Sequence, residues 1–228
     1  MTDERVLAAA RNNAEWCDLM SRAHGITGRF GPAVWSSDRR TPPYYPDAVT
    51  LDPAATAADV LDGIDAGPWA SVKDSFAALE LDGGFEVLFE ASWIHREPPG
   101  AEAVPGEVSW ERVEDAAVLR AWERAWSGGK DNELFLPAVL DGARVLAGRI
   151  DGEIVCGAVL SGDERVVGVS NVFAAGRDVD DAWAGVLAMA ARLFPGRALV
   201  GYESDVAAAA RHGFTAIGPL RVWLHEGQ

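Results

Sequence analysis

The sequence predicts an α/β (α+β) fold of two lobes, each a mixed central sheet flanked by helices, and three observations carry that expectation. Strand-like and helix-like segments alternate along most of the 228 residues. Asp151-Gly152 separates two apolar runs, the strongest short hairpin signal in the chain, so antiparallel strands join the sheet. The segment that opens Gly84-Phe85 and ends Trp93-Ile94 reappears as one that opens Gly213-Phe214 and ends Trp223-Leu224. A further pair of marks precedes these in the same order, because Arg22-Ala23-His24-Gly25 and Arg124-Ala125-Trp126-Ser127-Gly128 each end a helical pattern. We read a duplicated unit; two unrelated helix-to-strand corners are the alternative.

The first helix is expected over 3–23, where Val6, Ala10, Asn13, Cys17 and Met20 fall close to one face and His24-Gly25 supplies the stop. A short strand follows at 33–37. Thr41-Pro42-Pro43-Tyr44-Tyr45-Pro46 cannot be helical, since proline lacks an amide donor and restricts the residue before it. Such a loop is either a brace or a pocket wall. Next come a strand at 48–51, a helix at 56–64 opened by a Thr56 cap, and strands at 71–76 and 85–94. Residues 97–106 are rich in Pro, Gly and Ala and have the composition of an extended linker. The lobes are therefore placed at 1–98 and 107–228, with 99–106 between them.

The second half opens with a strand at 107–112 and a helix at 114–126, in which Val118, Leu119, Trp122 and Trp126 recur at helical spacing. Hairpin strands at 145–150 and 154–160 follow, then a strand at 165–174, a helix at 180–194 and a strand at 198–202. A short helix at 205–212 leads to a final strand at 214–224, interrupted at Gly218-Pro219.

Composition narrows the function. The net charge of −15 repels nucleic acid and anionic membrane at long range, so neither is an expected partner, while a small anionic ligand in a local basic pocket stays open. No apolar run approaches the ~20 residues needed to span a bilayer, and no secretory pattern opens the chain; a cytoplasmic location is the default. Cys17 and Cys156 are far apart and read as small buried hydrophobes rather than a disulfide or a zinc site. The nine Trp residues read mainly as core, with some left to line an aromatic pocket. An exposed sheet edge would support a homodimer; otherwise the chain is a monomer.

From about Glu107 onward the order strand, helix, hairpin strands, strand, long helix, strand, short helix, Gly-Phe, strand resembles the GNAT acetyltransferases. The matching pieces are residues 149–158 around Asp151-Gly152, 169–174, and Arg211-His212-Gly213-Phe214. The resemblance implies tandem GNAT-like lobes, clearest in the C-terminal half, with acetyl-CoA as co-substrate in a cleft where two central parallel strands splay apart. Backbone groups of the first splayed strand would hold the pantetheine arm, and Val172, Phe173 and Ala174 occupy that position. The next helix start would take the pyrophosphate, because free N–H groups and the helix dipole favour anions.

The chain departs from the family there. The family loop reads Arg or Gln, two variable residues, Gly, one variable residue, then Gly or Ala, and residues 179–184 overlay it best. Neither the basic or amide residue nor the first Gly is present. Ala182 and Ala184 remain as small residues and Arg177 as the nearby cation, while Asp180 and Asp181 cap a helix well but oppose a phosphate. The Tyr that in many family members protonates the departing thiolate is replaced by Ala209. The first half resembles a worn copy: 49–53 would match the cofactor strand, 56–64 the phosphate helix and 71–76 the second splayed strand. It reads as scaffold or substrate wall.

Glu203, at the end of the second splayed strand, could accept a proton from an attacking amine, or it caps the next helix. Tyr202 would replace the missing acid, or it packs. Ser170 and Asn171 in the cofactor strand would bind substrate polar groups, or bond neighbouring backbone. Lys73 next to Asp74 is either a surface ion pair or a cation for an acidic ligand. Arg221 with Trp223 would set a guanidinium beside an aromatic wall, and Trp93 holds the equivalent place in the first half. No His stands at metal-ligand spacing from a partner, so no metal is expected, and His212 reads as a helix C-cap. The leading expectation is an acetyl-CoA-dependent N-acetyltransferase acting on a small-molecule amine. Its rival is a GNAT-like module that binds a ligand or partner and has lost transfer.

Overall fold

The computed structural model describes residues 3–100, 106–162 and 165–227. In chain order the elements are α1 (Glu4–Ala23), β1 (Arg29–Phe30), β2 (Val34–Ser36), β3 (Ala48–Thr50), α2 (Ala57–Leu61), β4 (Ser71–Asp74), β5 (Phe85–Arg96), β6 (Ser109–Arg112), α3 (Ala116–Trp126), α4 (Val139–Gly142), β7 (Arg144–Ile150), β8 (Glu153–Gly162), β9 (Val166–Ala174), α5 (Val179–Leu193), β10 (Ala198–Glu203), α6 (Ala207–Arg211) and β11 (Thr215–His225). The mixed α+β class follows the expectation. β1 and α4 were not expected, being too short for periodicity to signal.

Contacts gather the chain into two compact units. One takes the chain up to Trp93, Tyr202–Asp205 and everything from Ala216 onward; the other takes Ile94–Gly201 and Val206–Thr215. These units differ in membership from the lobes read at 1–98 and 107–228, because nearly all of β11 is counted with the N-terminal segments. Residues 101–105 of the expected linker lie outside the described residues.

In the first unit β1, β2 and β3 are antiparallel, β3 and β4 parallel, and β4 pairs antiparallel with β11, which lies next to β5. Trp223 explains why β11 belongs here: its ring packs with Val34, Ala48, Val60, Val72, Leu79, Leu81 and Phe85. Burying a side chain of that size contributes more than any single hydrogen bond in the ladder. β11 runs unbroken through Gly218-Pro219, correcting the expected interruption. Gly218 is required because a Cβ there would stand 3.0 Å from Val6 of α1. Asp3 caps α1 by accepting from the amide of Arg5, and Val6, Ala9, Ala10, Asn13, Cys17 and Met20 form its buried face. The proline-rich loop is a brace. Buried Asp47 accepts from the Thr41 amide and hydroxyl, the Ser71 amide and the Arg40 guanidinium, tying that loop to the start of β4.

In the second unit β9 and β10 are parallel, while β9, β8, β7 and β6 form an antiparallel run. Asp151 (φ 49°) and Gly152 (φ 86°) form the β7–β8 turn, both in the left-handed conformation that a type I′ hairpin demands. Val167, Val169 and Val172 of β9 pack with Trp183, Val186 and Leu187 of α5. Phe173 turns to the opposite side, edge-on to Trp122 of α3 at 5.4 Å. Trp122 is fully buried, and its indole N–H donates to the Leu146 carbonyl at 2.8 Å. Trp35, Trp93 and Trp122 are core residues, whereas Trp69 is 64% exposed.

The spacing 167, 169, 172 contains a three-residue step, and the ladder shows why. Gly157 of β8 faces Phe173 and Val159 faces Ser170, so Asn171 and Val172 together oppose Ala158. This is a β-bulge, with Asn171 at φ 54°. A Cβ on Gly157 would collide with Trp122, Phe173 and the Leu146 carbonyl. Gly157→Ala is therefore expected to destabilise the fold by about 1–3 kcal/mol, the usual cost of overpacking; urea unfolding checks it, and an unchanged midpoint would show that the α3 aromatic cluster yields.

Candidate functional site

The bulge gives β9 its chemical character. A non-glycine residue with positive φ inside a strand is strained by about 1–3 kcal/mol, and such strain concentrates where backbone groups are redirected. At the bulge one residue is left out of the ladder, which turns a backbone amide away from β8. The Ser170 hydroxyl beside it is buried and has no hydrogen-bond partner among the described residues. Ser170, Asn171, Val172, Phe173 and Ala174 are all half-buried. An unpaired hydroxyl and a redirected amide next to a half-buried apolar strand suit the carbonyl end of a thioester.

The start of α5 is arranged differently. Asp178, not Asp180 or Asp181, is the N-cap, accepting from the Asp180 amide at 3.0 Å, and the Asp181 amide donates to the Asp178 carbonyl. Asp180 accepts two-pronged bonds from Arg211 at 2.9 to 3.2 Å and lies 3.1 Å from Nε2 of His212. The guanidinium holds the Asp180 carboxyl below the usual range. Asp181 pairs with Arg177 at 3.0 Å. Thus the carboxylates are neutralised inside the unit, but the first amides and both arginines are already engaged. The residues do not fit a pyrophosphate at this helix start as it stands. Ala182 is fully buried against Val108 and Cys156, so its small side chain serves packing, and Ala184 is half-buried. His212 is the C-cap of α6, as read from sequence.

In the first unit three expected residues come together. Lys73 is not half of a surface ion pair. It is 4% exposed, its ammonium donates to Oδ1 of Asn13 at 2.8 Å, and it lies 4.2 Å from the centre of the Tyr202 ring. Asp74 instead accepts from the amides of Phe76 and Leu79, so it holds the turn after β4. Tyr202 meets Trp93 edge-on at 5.8 Å, and the Trp93 indole donates to the Ser75 carbonyl at 2.7 Å. Asn13 was missed as a functional residue, although a polar residue on the apolar face of a predicted helix is the signal that marks it. Trp223 lies apart from this group in the core around β11, with the Arg221 guanidinium 5.5 Å from its ring centre and also bonded to Glu90.

Glu203 follows Tyr202 on β10, and alternation sends the two side chains to opposite faces. Its carboxylate forms no hydrogen bond or ion pair among the described residues. Burial, with repulsion from Asp205, pushes its pKa up to about 7. Ala209, at the position of the family's usual acid, is fully buried in the core. Burial pushes the thiols of Cys17 and Cys156 up to about 11, so both are unreactive. No group of three metal-ligating residues exists among the described residues. A groove of about 670 Å³ runs between α3 and the β7–β8 turn, reaching Ala175 just after β9. Arg120 in it has no hydrogen-bond or ion-pair partner among the described residues, whereas Arg124 pairs with Asp131 and Arg149 with Glu111.

No protein-family model and no curated protein matches the chain. Solved structures do. A GCN5-related N-acetyltransferase from Kribbella flavida superposes with a TM-score of 0.66 at 16% identity, covering 96% of each chain. A GNAT-family protein from Novosphingobium aromaticivorans gives 0.59 at 17% identity over 96% of this chain and 99% of its own. A GCN5-related N-acetyltransferase-like protein from Streptococcus suis gives 0.53 at 13% identity, over 97% and 98%. At such identities the likeness shows the fold: this chain has the GNAT fold across nearly its whole length. Among the described residues no helix is long and apolar enough to cross a membrane.

The raised pKa of Glu203 has a definite stability consequence. Folding raises this carboxyl from its ordinary 4.5 to about 7, so between those values the folded chain holds a proton that the unfolded chain has lost. Stability therefore falls as pH rises through that window. Glu203→Gln should leave the melting temperature at pH 5 nearly unchanged and raise it at pH 8, flattening the profile; equal effects at both pH values would show that Glu203 has an ordinary pKa.

Proposed function

We propose that this chain transfers an acetyl group from acetyl-CoA to the amine of a small molecule. The observation that carries the reading is the β9 bulge, with Asn171 at φ 54° and the unpaired Ser170 hydroxyl beside it, in a chain of GNAT fold. A thioester supplies an activated acyl carbon and a thiolate leaving group. The chain's contribution is electrostatic and geometric. An amide turned out of the β9 ladder donates to the carbonyl oxygen as negative charge builds on it, a contribution typically worth about 2.7–4 kcal/mol. Val172, Phe173 and Ala174 hold the acyl arm along the strand.

Glu203 is the proposed general base, with a pKa near the working pH and no hydrogen-bond or ion-pair partner among the described residues. It takes the proton from the attacking amine directly or through water. Tyr202, on the face of β10 opposite Glu203, is held by Lys73 and Trp93 and lies outside this proton transfer, although Ala209 has no proton to give either. Trp223 and Arg221 serve as wall rather than chemistry.

A second reading has its own support. The α5 start is occupied by Asp178, Asp180 and Asp181 with their partners, which favours a ligand-binding module that no longer uses a phosphorylated cofactor. Calorimetric titration with acetyl-CoA and with free CoA separates the two. One-to-one saturation, followed by amine-dependent thiol release, supports transfer, and absence of binding up to millimolar ligand refutes it. In the transfer assay the rate should rise with pH to a plateau above about 7, and Glu203→Gln should lower kcat by about 10²-fold or more. Asp180→Asn and Asp181→Asn together release Arg211 and Arg177 and should tighten CoA about tenfold through removal of like charge; unchanged affinity would place the phosphates away from α5.

A further inference from the structure

Lys73 presents a charge that the protein does not balance. An ammonium that is 4% exposed normally has a carboxylate within reach, because burying an isolated cation costs several kcal/mol. The chain has 35 acidic residues and a net charge of −15, yet among the described residues no carboxylate forms an ion pair with this one. Asp74, next in sequence, is spent on the amides of Phe76 and Leu79. Asp18, on the same helix as Asn13, bonds the Trp35 indole at 3.1 Å and the Arg22 guanidinium at 2.9 Å. Cys17 is no counter-ion either, since its thiol stays protonated. The partners present are one neutral amide oxygen and one aromatic face. Together they use only part of the three-donor capacity of an ammonium.

The surroundings are prepared for a polar guest. The Asn13 oxygen takes a bond from Lys73 at 2.8 Å and faces the Cys17 sulfur at 3.8 Å, which fixes the amide and orients its NH₂ away from both. Ser75, two residues along from Lys73, has a fully buried hydroxyl without a hydrogen-bond partner among the described residues. Its carbonyl anchors Trp93, Trp93 supports Tyr202, and Tyr202 covers Lys73, so Ser75 and Lys73 close one connected ring of contacts. Buried hydroxyls and ammonium groups left short of partners are costly unless something else completes them.

We propose that Lys73 and Asn13 bind a carboxylate, and that the acceptor is an amine that also carries one, an amino acid or a close analogue. The half-buried Tyr202 ring would pack on its apolar portion, with the buried Trp93 supporting it from behind. This inference deepens the acetyl-transfer reading by naming the acceptor class, but carboxylate binding at Lys73 stands or falls separately from transfer.

The test uses matched probes on the full chain: tryptophan against tryptophanamide and tryptamine, which keep the amine and the ring and lack the carboxylate. Binding is read by calorimetry and, with acetyl-CoA present, by thiol release. Lys73→Met keeps the length and removes the charge. A purely structural lysine predicts lost stability with unchanged ligand preference. The proposal predicts a melting temperature equal to or above wild type, because an unbalanced buried charge has been removed. It also predicts that a preference of about tenfold or more for the acid over its amide disappears in the variant. Equal handling of acid and amide by the wild type, or a preference that survives Lys73→Met, overturns it. If thiol release is absent for every probe but Lys73-dependent carboxylate binding is present, acetyl transfer fails and this site stands. If transfer proceeds with no regard to the carboxylate, the reverse holds.

Discussion

One extra residue in β9 governs much of what this chain presents. The insertion at Asn171-Val172 keeps Val167, Val169 and Val172 on the α5 side and Phe173 on the α3 side, so both layers pack on a strand that has slipped by one position. Regular pairing throughout would send Val172 and the residues after it to the wrong faces. The cost is a left-handed Asn and a buried serine hydroxyl with no partner among the described residues; a bulge of this kind leaves one residue out of the ladder. Gly157 opposite and Trp122 beneath are sized to this geometry, which is why the strain sits in a heavily buttressed place.

Charge is handled in two contrasting ways. At the start of α5 Asp180 and Asp181 each have a basic partner within their own unit, so a highly acidic chain tolerates them at a position where a phosphate would otherwise be welcomed. Exposed pairs of this kind are weak and exchange with solvent, which leaves them open to displacement by a stronger anion. Around Lys73 the opposite holds: among the described residues this buried ammonium contacts an amide oxygen and an aromatic ring but no carboxylate, and Glu203 is a half-buried carboxyl with no basic partner. Groups of this kind cost stability, and their persistence at Lys73 and Glu203 fits a region shaped for chemistry rather than for folding.

How much of this was legible differs by element. Helical spans were plain in sequence: α1 and α3 fall within the expected 3–23 and 114–126, Thr56 caps α2 as read, and the Asp151-Gly152 turn has the positive φ values that its composition demands, whereas the Asp3 and Asp115 caps were seen only in the structure. The candidate residues in β9 were placed correctly on one strand, and the step from 169 to 172 is visible once a bulge is considered. Gly218-Pro219 misled because proline reads as a strand breaker, whereas here Gly218 makes room for Val6 of α1. Lys73-Asp74 misled because adjacent opposite charges suggest a surface pair, while alternation along a buried strand sends them to different partners.

By itself the sequence determined the elements, the hairpin, the order that marks the GNAT fold and the scarcity of basic residues in the phosphate loop, since each depends on local spacing and residue chemistry. Only the tertiary structure decided that β11 pairs with β4 in the N-terminal unit, that Asn13 meets Lys73 across 60 residues of chain, and that Arg211 neutralises Asp180 across 31. Pairing between distant segments is chosen by total apolar burial and by which buried polar groups find partners. No window of sequence contains that information, because both are properties of the whole packed chain.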